Sequence, residues 1–457
     1  MKALYALKTA VITTCLLYAA AFQMQGKTAT VNVATAGTLS SLIPSEDKYL
    51  IDTLTVTGYL NGTDIKFIRD MGGNVDGYPS AGILKVLNMT GADIVAGGSP
   101  YYTSYSTAKD AIGYYFFAYC DKLKSIAFPD KATVIYSYAC YGCSLLASLT
   151  LPTSLTTIGS YGLYGCTALK SITLPDALVN IGERAFESCG ALTSVVIPSN
   201  VTNIGAFAFK SCSSLGTVTI PDNVTNIGMA AFQLCTALVS IKLPAGITTL
   251  SDGMFWGCLA LKSVTLPDGL TSIGGTAFYN CSWLTSIVIP NSVTSIGASA
   301  FENCSKMTSA TIGKSVANIG SKAFYNCTGL KEFHSYPMTP PSVATDAFTN
   351  STFTDCKLYV PTGTYAAYRA ASVWVNFADV VEESGTGISQ TGKDGISVLG
   401  YEGGMSIDVP RPSMVAVCNS EGQTVYNGVV EMSTQLVLKK GVYMVAVGKA
   451  VFKVLVY

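Results

Sequence analysis

The sequence predicts a solenoid of 23-residue strand–turn–short-helix units laid down as a parallel sheet, followed by a small all-β sandwich-like domain. Three observations carry this. A cysteine returns every 23 residues, ten times without interruption, at Cys120, Cys143, Cys166, Cys189, Cys212, Cys235, Cys258, Cys281, Cys304 and Cys327. Phenylalanine keeps the same period at Phe186, Phe209, Phe232, Phe255, Phe278, Phe301 and Phe324. The last sixty residues abandon the period for short alternating apolar runs split by turn residues. A fixed period of this length marks stacked units that cannot bury their apolar faces alone.

One unit, read from Cys281, shows how the elements arise. Ser286 and Val288 alternate with Ile287 and Ile289, the period of a strand. Pro290 ends that strand because it has no N–H for a ladder, and Asn291 continues a turn. Ile296, Ala300, Phe301 and Cys304 then fall on one short helical face, with Gly297 allowing a sharp bend. The Phe ladder is expected in the core with the Cys ladder beside it.

These residues resemble the BspA-like leucine-rich repeat family of bacterial surface proteins, whose unit reads roughly L-P-x-x-V/L-T-x-I-G-x-x-A-F-x-x-C-x-x-L-x-S-I. The match covers about half the chain. The resemblance implies a leucine-rich repeat solenoid at a cell surface, and a non-catalytic role in adhesion or host interaction. Its partners would be a host or neighbouring-cell surface protein or glycan. The alternative is an envelope spacer without a specific ligand.

Met1 to about Gly26 reads as a secretory signal peptide: Lys2 and Lys8 precede the apolar stretch Ala10–Phe22, and Ala19, Ala20 and Ala21 offer a cleavage site. Cys15 lacks the small residue before it that a lipobox requires. No later segment is apolar for long enough to span a membrane. Export to the cell surface or the medium is expected, with the periplasm as the other destination. Residues 27–100 are out of register and read as an N-terminal cap, residues 101–335 as the ten repeats, and residues 336–381 as a C-terminal cap closing with a helix over Gly363–Phe377. Residues 382–395 are Gly/Ser/Thr-rich and read as a linker. In residues 396–457, Gly422, Val425, Leu438, Gly441, Tyr443 and Lys453 form a pattern that resembles the C-terminal sorting domains of type IX secreted proteins.

Composition narrows the chemistry. Lys plus Arg equals Asp plus Glu at 28 each, and no basic run points to nucleic acid. His334 is the single histidine, which removes multi-histidine zinc sites and leaves one residue for any nucleophile–base pair. It is expected as a solvated surface residue near Lys331 and Glu332. The run Asp70–Gly77 lacks EF-hand spacing and reads as a plain loop. No Gly-rich phosphate motif occurs, so neither catalytic residues nor a metal or cofactor site are expected. Ladder cysteines point the same way and are expected as free buried thiols rather than disulfides. Cys140-Tyr-Gly-Cys143 matches a redox spacing, yet Cys140 stands where later units carry Phe.

Two surfaces remain as candidate ligand sites. The outward strand positions read Ser148, Ser171, Ser194, Thr217, Ser240, Ser263, Ser286 and Ser309, with Thr150, Thr173, Thr219, Thr265 and Thr311 two residues on and Lys242 the lone charge. That face either accepts an extended ligand through many weak hydrogen bonds or merely suits a tight sheet. The second is an aromatic stretch from Tyr101 to Tyr141, with Tyr101, Tyr102, Tyr105, Tyr114 and Tyr115 as its candidate patch and Tyr119, Tyr136, Tyr138 and Tyr141 further along. It serves either as a binding surface or as packing between cap and first repeats.

Overall fold

The computed structural model describes residues 26–383, 390–391, 396–401, 404–431, 433–438, 441–447 and 450–456. The proposed signal peptide, apart from Gly26, and the linker from residue 384 on, apart from Gln390 and Thr391, lie outside the described residues. The chain divides into two compact units, Met1–Pro175 and Asp176–Tyr457.

In the first unit, strands Lys27–Val33, Ile51–Leu60, Val86–Asn88, Ser125–Ala127 and Ser148–Thr150 follow one another in a parallel sheet. The out-of-register N-terminal segment therefore supplies strands to the sheet that the repeats continue. A second parallel ladder joins Ala111–Ile112, Val134–Ile135 and Thr157–Ile158. Helix Gly62–Met71 is started by a capping box in which Asn61 accepts from Thr63 and Asp64 accepts from the Asn61 N–H.

In the second unit the repeats keep the 23-residue register: Ser194 faces Thr217, Ser240 faces Ser263, Ser286 faces Ser309, and Ser309 faces Glu332. A second short strand per repeat also pairs in parallel, as at Ser295–Ile296 with Asn318–Ile319. The register lengthens by one residue where Asn318 meets Ser342, beside the prolines Pro337, Pro340 and Pro341.

The expected short helix in each repeat is instead a hydrogen-bonded turn side. Among the described residues no α-helix occurs between Met71 and Asn350. The Ser299–Cys304 stretch places two residues per repeat at positive φ, Ser299 (54°) and Asn303 (65°), with counterparts such as Phe207 and Ser211. The N–H groups of Ser299, Phe301 and Asn303 then reach the carbonyls of Ser321, Ala323 and Tyr325 in the next repeat, at 2.8–2.9 Å. A helix would keep these donors inside its own turn; the left-handed residues rotate them outward, so all three sides of the solenoid are bonded between repeats.

Phe186, Phe209, Phe232, Phe255, Phe278, Phe301 and Phe324 are buried and stack in sequence at 5.1–5.9 Å. The cysteines beside them are buried, and their thiols donate to carbonyls of the preceding repeat, Cys212 to Phe186 (3.2 Å) and Cys235 to Phe209 (3.2 Å). Cys140 takes the Phe position as expected, its carbonyl accepting from Cys166 at 3.4 Å.

After the last repeat, strand Lys357–Pro361, helix Tyr365–Ala370 and the 3-10 turn Trp374–Asn376 close the core around buried Trp374, Tyr368 and Phe377. One further strand, Asp379–Glu383, pairs with Lys357–Pro361. Glu382 and Glu383 thus belong to this strand and not to the linker. The C-terminal domain is two four-stranded antiparallel sheets around Val398, Met405, Ile407, Val415, Val417 and Val445. No helix among the described residues is long and apolar enough to cross a membrane.

Candidate functional site

The first turn side of the solenoid has no preceding repeat to bond its carbonyls. One repeat later, Ser137, Ala139 and Tyr141 accept from the N–H groups of Tyr115, Phe117 and Tyr119. The equivalent acceptors one period earlier are Tyr114, Phe116 and Ala118. The Tyr101 hydroxyl donates to Tyr114 at 2.8 Å, and the Arg69 guanidinium donates to Phe116 and Ala118 at 3.0 and 3.2 Å. Arg69 also donates to Tyr115 and Asn74, and lies 4.6 Å from the centre of the Tyr102 ring. Two side chains replace a missing repeat, since buried carbonyls left unbonded are costly. Tyr101 is fully buried. It is therefore not part of any exposed patch, because its hydroxyl is committed inward, and burial pushes its pKa up.

The other four residues of the predicted patch do come together, and the cluster runs on beyond them. Tyr102, Tyr115, Tyr138 and Tyr161 stack face to face at 5.0, 4.7 and 4.7 Å. Tyr141 stacks on Tyr164 at 4.7 Å, and Tyr114 on Tyr136 at 4.7 Å. Tyr105 leans on both Tyr114 and Tyr115, and Tyr119 meets Tyr141 edge to face. These rings are half-buried or, at Tyr114 and Tyr119, exposed. Because stacked rings cover one another's shared faces, the surface offers chiefly ring edges and hydroxyls. Burial, and then the neighbouring phenols, raise the pKa of Tyr115 and Tyr141, so both stay protonated donors at neutral pH. Tyr161 and Tyr164 lay beyond the aromatic stretch considered from sequence. The signal for them was the 23-residue spacing of Tyr115, Tyr138 and Tyr161 and of Tyr141 and Tyr164.

The hydroxylated strand face is less uniform than expected. Ser148, Ser194, Thr217, Ser240, Lys242 and Ser286 are exposed, whereas Ser263 and Ser309 are half-buried and Thr311 is buried. Ser171 is exposed but lies outside any regular strand. Val196 and Val288, 67% and 48% exposed, interrupt the hydroxyl rows.

His334 is not the solvated residue expected. Its side chain is 19% exposed, stacks on Tyr359 at 4.4 Å, and lies 2.9 Å from Glu383 and 3.7 Å from Glu332. Burial disfavours the cation, but the two carboxylates outweigh it and raise the pKa to about 9. Strand Asp379–Glu383 brings Glu383 here across 49 residues, which no local reading could anticipate. Both imidazole nitrogens face carboxylates, which makes this an ion-pair clamp on the C-terminal cap.

Among the described residues no group of three His, Cys, Asp or Glu side chains is placed to hold a metal ion. An open pocket of about 400 Å³ lies between Lys314, Val316 and the Pro337–Pro341 loop. It gathers a single charged side chain, Lys314.

The BspA type leucine rich repeat region matches in six copies over residues 110–239 and 225–358. Among solved structures, the chain is similar to a leucine-rich repeat protein from Bacteroides ovatus, at 30% identity over 60% of this chain and 71% of that one, with a TM-score of 0.48. It is also similar to a leucine rich cell surface protein from Faecalibacterium prausnitzii, at 24% identity over 63% and 86% of the two chains, with a TM-score of 0.40. A leucine-rich repeat protein from Eubacterium ventriosum shares 24% identity over 56% and 84%, with a TM-score of 0.36. No curated protein matches the chain.

Proposed function

From the premise that the chain belongs to the BspA type leucine-rich repeat family, we propose that it is an exported cell-surface protein that binds an extracellular protein partner, without catalysis, on its tyrosine face. The observation that carries this reading is that the architecture does not require the tyrosines. The turn-side position held by Tyr115, Tyr138 and Tyr161 is filled in the later repeats by Arg184, Phe207, Ala230, Gly253, Thr276, Ser299 and Lys322, so no repeat after the third uses tyrosine there. Tyr115, Tyr138 and Tyr161 there sit at positive φ (56°, 64° and 58°), where a β-carbon is unfavourable and glycine would be easier. A run of large rings at such positions is a choice of surface. Tyrosine supplies rigid contact area with a polar tip at low entropic cost, as in antibody paratopes.

A protein partner is favoured over a glycan because the ring faces are already stacked on one another, leaving edges and hydroxyls. The C-terminal β domain, through its resemblance to sorting domains, would direct export or anchoring. In intact cells, added protease should degrade residues 101–335, and deletion of residues 396–457 should retain the chain inside. Attachment of the purified chain to a target surface should be lost when that surface is treated with protease and survive glycosidase treatment. Attachment that survives protease and fails after glycosidase treatment would reverse the assignment in favour of a glycan.

A further inference from the structure

We propose that the tyrosine face recognises a segment of its partner in the polyproline II conformation; this rests on the preceding reading and names the partner's chemistry. Along the row Tyr115, Tyr138, Tyr161 the rings advance 4.7 Å per repeat, so alternate repeats lie about 9.4 Å apart. A polyproline II helix rises about 3.1 Å per residue with three residues per turn, and presents the same side every ~9.3 Å. A strand returns to the same side after about 6.7 Å and an α-helix after about 5.4 Å, and neither is a small multiple of the spacing. Of the regular backbone conformations, polyproline II stays in step with every second tyrosine.

The chemistry agrees with the spacing. A polyproline II backbone has no internal hydrogen bonds, so its carbonyls are open acceptors. The tyrosine hydroxyls are donors, held protonated at Tyr115 and Tyr141 by burial and by the phenols beside each. The second row, Tyr141 and Tyr164, runs 5.7 Å from Tyr138 and Tyr161. It gives a second line of donors for carbonyls on the adjacent flank of the helix. The tyrosine rings themselves carry no charge at neutral pH, which suits an uncharged, proline-rich ligand. The four stacked rings from Tyr102 to Tyr161 accommodate about five polyproline II residues. Aromatic surfaces are an established way of reading this conformation, because the ligand arrives pre-ordered.

The test uses the full chain and a proline peptide of about ten residues, with a glycine–serine peptide of equal length as the flexible control. Calorimetric titration should show saturable binding of the proline peptide and none of the control. The paired substitution Tyr138→Phe and Tyr161→Phe keeps the ring stack and removes two hydroxyls, and should weaken binding about tenfold. Equal binding of the two peptides, no binding of the proline peptide, or an unchanged affinity in the Phe pair would each overturn the proposal. The same samples are compared for attachment to a protein-coated target surface. If Tyr138→Ser with Tyr141→Ser abolishes attachment while the proline peptide neither binds nor competes, the polyproline assignment fails and the protein-binding reading stands. If attachment is unaffected by that pair, both fail.

Discussion

Arg69 and Tyr101 show how far a single side chain can substitute for a length of backbone. Each occupies the place of a missing repeat by donating to carbonyls that would otherwise be buried and unbonded. Removing only the hydroxyl, in Tyr101→Phe, leaves the Tyr114 carbonyl without its donor. It should cost about 1–3 kcal/mol, read as a lowered denaturant midpoint with unchanged slope. In the C-terminal cap His334 is held between Glu332 and Glu383 with a pKa of about 9, against about 6.5 when unfolded. Below about pH 6.5 both states carry the proton and the clamp contributes fully. Between about pH 6.5 and 9 only the folded state keeps it, so stability falls as pH rises, by at most about 3 kcal/mol. His334→Gln should flatten the stability curve across that window while leaving it curved elsewhere. An unchanged pH dependence would show that the histidine is not held as an ion pair.

At the scale of the repeat, the period was legible and its conformation was not. Apolar residues at a fixed 23-residue spacing force a stack whatever path the chain takes between them, so the buried Phe and Cys ladders followed from the sequence. The same spacing around Ile296, Ala300, Phe301 and Cys304 suits one helical turn or a turn side with left-handed residues. Inter-repeat hydrogen bonding, which has no local signal, decides for the latter. Gly297 also has a different reason from the one its position suggests. A β-carbon there would lie 2.5 Å from the Gly275 nitrogen, so it is glycine because consecutive repeats approach closely. The ladder itself is open to test at Phe209, fully buried between Phe186 and Phe232 at 5.1 and 5.6 Å. Phe209→Ala should cost about 3–5 kcal/mol in thermal or denaturant unfolding. Unchanged unfolding would place the side chain outside the core and break the register.

Over the whole molecule, the family and the fold were within reach of the sequence because repetition multiplies a weak signal. The site was only partly so. Tyr102, Tyr105, Tyr114 and Tyr115 stood out as a local cluster, but Tyr101 looked the same in sequence and turned out to be a buried plug. Tyr161 and Tyr164 belong to the surface through period alone, both in the repeat two periods after Tyr115. The hydroxylated strand face had the stronger sequence pattern, yet Val196, Val288 and the buried Thr311 break it up. The two surfaces can be set against each other directly. The most direct measurement is the binding of the full chain to an immobilised panel of extracellular proteins, comparing Tyr138→Ser with Tyr141→Ser against Ser240→Ala with Ser286→Ala. Loss of two aromatic anchors should weaken binding at least about tenfold, and the serine pair should bind as the parent does. Binding that survives the tyrosine substitutions and fails with the serine ones would contradict the account and move the site to the strand face.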